Sequence, residues 1–162
     1  MKIMSINAGS SSLKFSLFDM TDESVITSGV FERIGMEGSC YTVKYNGEKI
    51  TEELLVETHN DAVKILFDKL LTLNIINSLD EIKGVGHRIV QGKDLYSESV
   101  IVTDKVIEDL ESIKAFAPLH NPGAVMGIKA FREVLPDTLM TVVFDTALHQ
   151  TMDKETYLYP VP

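Results

Sequence analysis

The first fifty residues carry short apolar or alternating segments, which are typical of strands. Leu13, Phe15 and Leu17 share one face of a predicted strand over 13–19, with polar residues between them. Further strands are predicted at 1–6, 25–31, 41–45 and 48–51. Asn46-Gly47 joins the last two as a type I′ hairpin turn. We therefore expect this part of the chain to form antiparallel strands.

The apolar spacing then changes to that of amphipathic helices. One helix carries an apolar stripe over 63–71, with Thr58 or Asn60 as its N-cap. A second helix follows a capping Thr103, and Asn121-Pro122 supplies the N-cap and first residue of a third. The chain therefore has three predicted helices after its strand-rich beginning.

Two more strands alternate with these helices. The segment 84–90 is short and strand-like, and 139–144 is apolar throughout, as expected for a strand buried on both faces. Strands followed by alternating helices and strands predict an α/β domain with a mixed sheet. The length of 162 residues is that of about one domain.

Composition and charge narrow the class of protein. The chain is 44% hydrophobic and 24% charged, which is typical of a globular domain. The net charge of -9 argues against non-specific nucleic-acid binding, which needs a basic surface. A single cysteine, Cys40, indicates a reducing compartment, and no apolar run is long enough for a membrane helix. We expect a cytoplasmic protein that binds neither nucleic acid nor membrane.

The first two candidate sites lie beside predicted strands. The segment Asn7-Ala8-Gly9-Ser10-Ser11-Ser12 offers backbone N–H groups and hydroxyls to an anion, with Lys14 two residues further on. It lacks the spacing of a Walker A loop, and a solvated hairpin turn is the alternative. Further along, His87 and Arg88 must point to opposite faces of their strand. The arginine suits a carboxylate or phosphate, although a structural histidine beside an exposed arginine fits equally.

The other two candidate sites precede a helix and follow a strand. The segment Ala117-Pro118-Leu119-His120-Asn121-Pro122 enters the third helix, whose N-terminus favours anions, and a plain helix entry is the alternative. Asp145 follows the apolar strand, where it could hold Mg²⁺ or merely cap the next turn. His59 and His149 are expected at the surface, and no cluster has zinc spacing.

Taken together, these segments resemble the acetate kinase family of short-chain carboxylate kinases. The resemblance covers essentially the whole chain, and its first segment is highly specific. The matching stretches are Ile6-Asn7-Ala8-Gly9-Ser10-Ser11-Ser12-Leu13-Lys14-Phe15, Gly86-His87-Arg88-Ile89-Val90, Ala117-Pro118-Leu119-His120-Asn121-Pro122, Val143-Phe144-Asp145-Thr146-Ala147, His149-Gln150-Thr151-Met152 and Tyr157-Leu158-Tyr159.

The resemblance implies a fold and a reaction. The fold would be a ribonuclease H-like domain with a mixed sheet flanked by helices, as in the superfamily of actin, hexokinase and the chaperone ATPases. The reaction would transfer the γ-phosphoryl group of ATP to acetate with Mg²⁺, giving acetyl phosphate and ADP. Propionate or butyrate as the acceptor and a catalytically silent anion-binding fragment remain alternatives. A homodimer is implied for the full-length protein.

The resemblance also implies roles for individual residues. Arg88 would bind the carboxylate and the developing charge, and Asn7 would lie near Mg²⁺ and the transferring phosphoryl group. Asp145 would be catalytic by helping to position Mg²⁺ or the substrate. The remaining assignments are phosphate or nucleotide binding by Ser10, Ser12 and Lys14, and substrate binding by Val90, Leu119 and His120. An acetate carboxylate is ionised near neutral pH, because its pKa is roughly 4, so no general base is expected.

The chain departs from the family pattern in two respects. Gln91-Gly92-Lys93 stands where family members usually have His-Gly-Gly, which bears on the loop shape and on substrate preference. Family members are also more than twice as long. We therefore expect residues 1–150 to form the N-terminal domain and 151–162 to begin a connection to a second domain. On this view the isolated chain folds but does not turn over.

Overall fold

A computed structural model of the chain describes residues 1–147 and 151–159. Its strands are β1 Lys2–Ala8, β2 Ser12–Asp19, β3 Ser24–Glu32, β4 Cys40–Tyr45, β5 Glu48–Glu53, β6 Ile82–Ile89, β7 Val100–Ile101 and β8 Leu139–Phe144. Its α-helices are α1 His59–Thr72, α2 Asp104–Ser112, α3 Asn121–Val134 and α4 Lys154–Tyr157. His149 and the end of the expected connection, 160–162, lie outside the described residues.

The eight strands form one mixed sheet in the order β5-β4-β3-β2-β1-β6-β8-β7. β6 pairs in parallel with both β1 and β8, while the other pairs are antiparallel. Asn46 and Gly47 both have positive φ, at 51° and 79°, as a type I′ turn requires. The predicted mixed α/β sheet and its hairpin are thus confirmed.

Helices α1, α2 and α3 cover one face of this sheet. Alternate side chains of the central strands, such as Met4, Ile6 and Val85, are buried with apolar residues of α1 and α3. A second cluster joins α2 and α3 to the ends of β6 and β8. Thr58 is the N-cap of α1 and forms a reciprocal capping box with Asp61, which settles the alternative left open with Asn60.

Two sequence expectations about the later elements are wrong. β8 is not buried on both faces, because Leu139 and Val143 are 54% and 48% exposed while the residues between them alternate into the core. Asn121 is not the N-cap of α3: His120 takes that position, and Asn121 is fully buried inside the first turn. An apolar run therefore indicated a strand here, but not how many of its faces are covered.

The short elements β7 and α4 were not anticipated. β7 has two residues and pairs antiparallel with the edge of β8, and α4 has a single turn. In the described part of the chain, every helix is too short or too polar to cross a membrane.

Candidate functional site

A pocket of about 350 Å³ lies on the sheet face opposite the helices. It is centred on β1, β2 and β6, and its side chains come from cross-strand neighbours. Asn7 of β1 pairs with Lys14 of β2, and Arg88 of β6 pairs with Val143 of β8. The alternation of each strand thus turns Asn7, Lys14, Arg88 and Val143 toward the pocket and the residues between them toward the helices.

Arg88 is the best-anchored charged side chain of this pocket. Its Nε donates to Oδ1 of Asp145 at 2.9 Å, and its Nη2 donates to Oδ2 at 2.6 Å. Its Nη1 points to Oδ1 of Asn7 at a long 3.4 Å. Donating these hydrogen bonds to Asp145 raises the pKa of Arg88 above its ordinary value, so the guanidinium stays charged. The structure therefore brings together Asn7, Arg88 and Asp145, which the family resemblance assigned to one catalytic site.

His87 lies on the other side of β6, as the strand alternation predicts. It is only 2% exposed, and its ring packs edge-on against Phe131 of α3, with centroids 5.3 Å apart. Desolvation by burial lowers the pKa of His87 to about 3, so the imidazole is neutral. His87 is thus part of the helix-facing core, and its side chain offers no proton to the pocket.

The predicted anion loop closes the β1–β2 hairpin just beyond Asn7. Gly9 N–H donates to the carbonyl of Ser12 at 2.8 Å, which makes the turn compact. Ser10 is exposed at its tip, and Lys14 is exposed on the pocket face. His59, expected at the surface, is instead 6% exposed, and its Nε2 lies 2.7 Å from the carbonyl oxygen of Gly9. A single histidine in a polar stretch gave no signal of this contact.

The residues assigned to substrate binding besides Arg88 come from two loops. Val90 is half-buried directly after β6, while Leu119 is 72% exposed in the turn before α3, next to the exposed His120. The buried Asn121 connects the two loops, because its Nδ2 donates to the carbonyl of Gln91 at 2.9 Å and its Oδ1 faces the N–H of Gln91. The roles of Val90, Leu119 and His120 stay predictions.

Sequence reasoning missed several residues that line the pocket. Ser5, Ser16 and Val143 belong to it, and they share a face with Asn7, Lys14 and Arg88 through strand register. Period-two alternation starting from Asn7 and Arg88 would have found them, given the strand order. That order is not readable from the sequence.

The oxygen donors of the site suit a hard cation that also binds phosphate. Among the described residues, no group of three or more His, Cys, Asp or Glu side chains could hold a metal alone. Asp145 and the amide oxygen of Asn7 supply oxygen ligands, and Mg²⁺ commonly binds through one or two such groups plus substrate phosphates and water. These residues thus fit a Mg²⁺ ion that arrives bound to a nucleotide. They do not form a site in which the protein supplies all the ligands.

The comparisons with known proteins agree on one family. The model of the acetokinase family matches residues 2–162. Acetate kinases of Streptococcus uberis and Anoxybacillus flavithermus are 55% and 53% identical over 161 residues, which is 99% of this chain and 41% of each relative. The chain therefore spans about two fifths of the length of these relatives.

Solved structures give the same result. The crystal structure of Porphyromonas gingivalis acetate kinase has a TM-score of 0.92 at 38% identity, covering 99% of this chain and 41% of that one. A propionate kinase from Francisella tularensis has a TM-score of 0.87 at 32% identity, with the same coverage. The fold is thus that of the acetate and propionate kinases, and the chain belongs to the acetokinase family.

Proposed function

We propose that this chain provides the carboxylate- and phosphoryl-binding part of a kinase that transfers the γ-phosphoryl group of ATP to acetate. The observation that carries the proposal is the guanidinium of Arg88, fixed by Asp145 and turned toward Asn7 at the open pocket. A planar, permanently charged fork in this position suits both a carboxylate and the oxygens of a transferring phosphoryl group.

The residue types fit this reaction. A carboxylate oxygen of acetate would attack the γ-phosphorus, and the bond from that phosphorus to the bridging oxygen of ADP would break. The nucleophile is already ionised, so no proton has to be removed. Phosphoryl transfer depends mainly on positioning and charge neutralisation. Arg88 would supply both, and Asp145 would hold Arg88 in place rather than act as a base.

The β1–β2 loop would receive the nucleotide phosphates. Ser10 and Ser12 offer hydroxyls there, and Lys14 adds a cation on the same side as Asn7. Mg²⁺, when bound with ATP, would be held by the oxygens of Asn7 and Asp145 and would neutralise phosphate charge. This assignment rests on the donor types and their strand positions.

Acetate is favoured over a longer acyl group as the substrate. The relatives that are 52–55% identical are named acetate kinase, whereas the propionate kinase structure is only 32% identical. Val143 and Gly86 line the pocket, and Val90 and Leu119 are proposed to close around the acyl methyl group. A longer acyl group such as that of propionate or butyrate would need a larger space between these residues.

The proposal extends to the setting of the protein. A domain over 1–150, followed by the start of a connection, is proposed from the family and from the single sheet that the described residues form. A cytoplasmic location is supported by the lone cysteine, Cys40, which is free. A homodimer of the full-length protein is proposed from the family resemblance, and the charge of -9 supports the absence of nucleic-acid partners.

A chimera tests the proposed reaction. This chain replaces the matching segment of the Streptococcus uberis relative, and acetyl phosphate formation is measured with acetate and ATP. Arg88→Ala should lower turnover by about 10³-fold, because it removes the charge that stabilises the transferring group. The matched control is Arg132→Ala, which breaks another surface Arg–Asp pair, with Asp104 at 2.7 Å on the helix side.

The control should leave turnover within about twofold, since an exposed ion pair contributes little to stability. Equal activity of the two variants would rule out the role of Arg88. A chimera that makes no acyl phosphate while folding normally would instead support the silent-fragment alternative. The isolated chain is expected to be inactive in the same assay.

A further inference from the structure

Two helices, α1 and α3, contact one peptide group of the β1–β2 loop from the helix side of the sheet. This peptide joins Gly9 to Ser10, at the start of the turn that the Gly9–Ser12 hydrogen bond closes. Both helices reach it from their first turn, α1 through the side chain of His59 and α3 through its backbone at Gly123. The loop is therefore positioned by specific contacts, and these contacts determine which way its N–H groups point.

The first contact comes from His59, the first residue of α1. Its Nε2 lies 2.7 Å from the carbonyl oxygen of Gly9, and the side chain is almost fully buried. A carbonyl oxygen can only accept, so Nε2 must carry the proton and donate it. The capping box of Thr58 and Asp61 fixes the backbone of α1 at this point, which leaves the imidazole little freedom.

The second contact comes from Gly123 in the first turn of α3. A Cβ at this position would collide with the Gly9 carbonyl oxygen and lie 2.5 Å from its carbonyl carbon and 2.9 Å from the nitrogen of Ser10. No side chain fits there unless the peptide moves. The Gly9–Ser10 peptide is thus pressed against α3 while His59 binds its oxygen.

Stereochemistry then fixes the direction of the Ser10 N–H. The described residues contain no cis peptide, and in a trans peptide the C=O and N–H bonds point in opposite directions. With the oxygen of Gly9 turned to His59, the Ser10 N–H points in the opposite direction, away from His59. In the described part of the chain this N–H donates to no protein acceptor, and Ser10 is exposed.

We propose that His59 is a positioning residue that holds the Gly9 carbonyl so that the Ser10 N–H donates to a phosphate oxygen of the bound nucleotide. The inference rests on the proposed function, because it assigns the ligand of this N–H to the same phosphoryl site. A backbone donor aimed in advance loses no orientational entropy when the phosphate arrives. His59 itself does not contact the ligand.

The test uses the ¹⁵N-labelled chain and inorganic phosphate as the probe. Backbone and arginine side-chain NMR spectra follow the Ser10 amide and the Arg88 Nε–H during a phosphate titration. In the wild type the Ser10 amide should shift saturably. His59→Phe keeps a ring of similar size without a donor, and it should weaken the Ser10 response about tenfold, as expected for one misplaced hydrogen bond to a charged group.

Two further variants separate positioning from mere stability. Asn60→Ala, the exposed neighbour on α1, should leave the Ser10 response unchanged. His59→Gln retains an N–H donor and should restore the response to within about threefold of the wild type. Thermal melting of each variant shows that the response is compared among folded proteins.

Several results would overturn the proposal. One is a Ser10 amide signal that does not shift with phosphate while the Arg88 Nε–H signal does. That result would leave the proposed function intact. If neither signal shifts with phosphate, the proposal is also overturned. The proposed function is then tested by the activity of the chimera. The third overturning result is a folded His59→Phe variant whose Ser10 amide responds to phosphate as in the wild type. If that variant does not fold, Gly123→Ala replaces it, and an unchanged response there counts equally against the proposal.

Discussion

The buried imidazole of His87 should make the stability of this protein sensitive to mild acid. His87 is 2% exposed on the helix side of β6, and its Nε2 has no hydrogen-bond partner among the described residues. Burial lowers the pKa of His87 from an ordinary 6.5 to about 3, because no nearby group compensates the charged form. We expect the folded state to exclude a proton that the unfolded state accepts.

The sign and size of the effect follow from linkage. Since the folded pKa is the lower one, the contribution of His87 to stability is complete above pH 6.5 and is lost as the pH falls from 6.5 toward 3. By about pH 5 the unfolded state gains about 2 kcal/mol from protonating this one group. For a domain of this size, that corresponds to a melting temperature lower by about 4–8 °C.

The measurement compares the wild type with His87→Leu, which has similar volume and no titrating atom. Unfolding by denaturant is followed at about pH 7.5 and at about pH 5. At the higher pH the variant should be as stable as the wild type or more so, because it removes an unsatisfied buried nitrogen. At the lower pH it should gain a further 2 kcal/mol or so over the wild type. An identical pH dependence of the two proteins would refute the reasoning.

Three further predictions concern the pocket and its rim. Asn7→Ala in the chimera should lower turnover about a hundredfold and alter its Mg²⁺ dependence, with the melting temperature nearly unchanged, since within the described residues the Asn7 side chain makes one long hydrogen bond; a lower melting temperature with normal kinetics would contradict this. Gly86→Val should raise the KM for acetate about tenfold or more, while Gly84→Val, on the same face but outside the pocket, should not; equal effects would refute it. Lys93→Gly should change stability by less than about 1 kcal/mol in thermal melts, because relieved backbone strain offsets the lost contact with Phe116; a loss above about 2 kcal/mol would disprove the offset.

Sequence patterns located most of the strands, and the family resemblance supplied the centre of the site. Apolar runs, alternation and the Asn-Gly turn located β1 to β5, and the separation of His87 from Arg88 onto opposite faces follows from the geometry of a strand alone. Asn7, Arg88 and Asp145 were grouped by resemblance, and the hydrogen bonds of Arg88 show that they do meet. Side chains on different strands meet only when the strand order makes those strands neighbours. The sequence pattern therefore gave candidate residues but could not show that they line one pocket.

The remaining features depend on contacts between segments far apart in the sequence. His59 reads as a polar residue at a helix start, yet it is buried by a loop fifty positions earlier. Asn121 is of a residue type that favours the N-cap position, but its side-chain amide hydrogen-bonds the backbone of Gln91, thirty positions earlier. Local propensity favours the cap, and the tertiary hydrogen bonds override it, because a buried amide must find partners for both its donor and its acceptor.

The departure of Gln91 and Lys93 from the family pattern is compensated within the loop itself. Lys93 has φ of 54°, a left-handed conformation that favours glycine, which the family usually has there. The Gln91 side chain accepts a 2.7 Å hydrogen bond from the N–H of Lys93, and Nζ of Lys93 lies 4.8 Å from the ring centre of Phe116. Both contacts are made by the two departing residues, so the left-handed turn can persist without its glycine. Because the turn lies beyond the end of β6, Arg88 keeps its place in the strand. The two departures therefore change the rim of the pocket and leave the position of the Arg88 guanidinium unchanged.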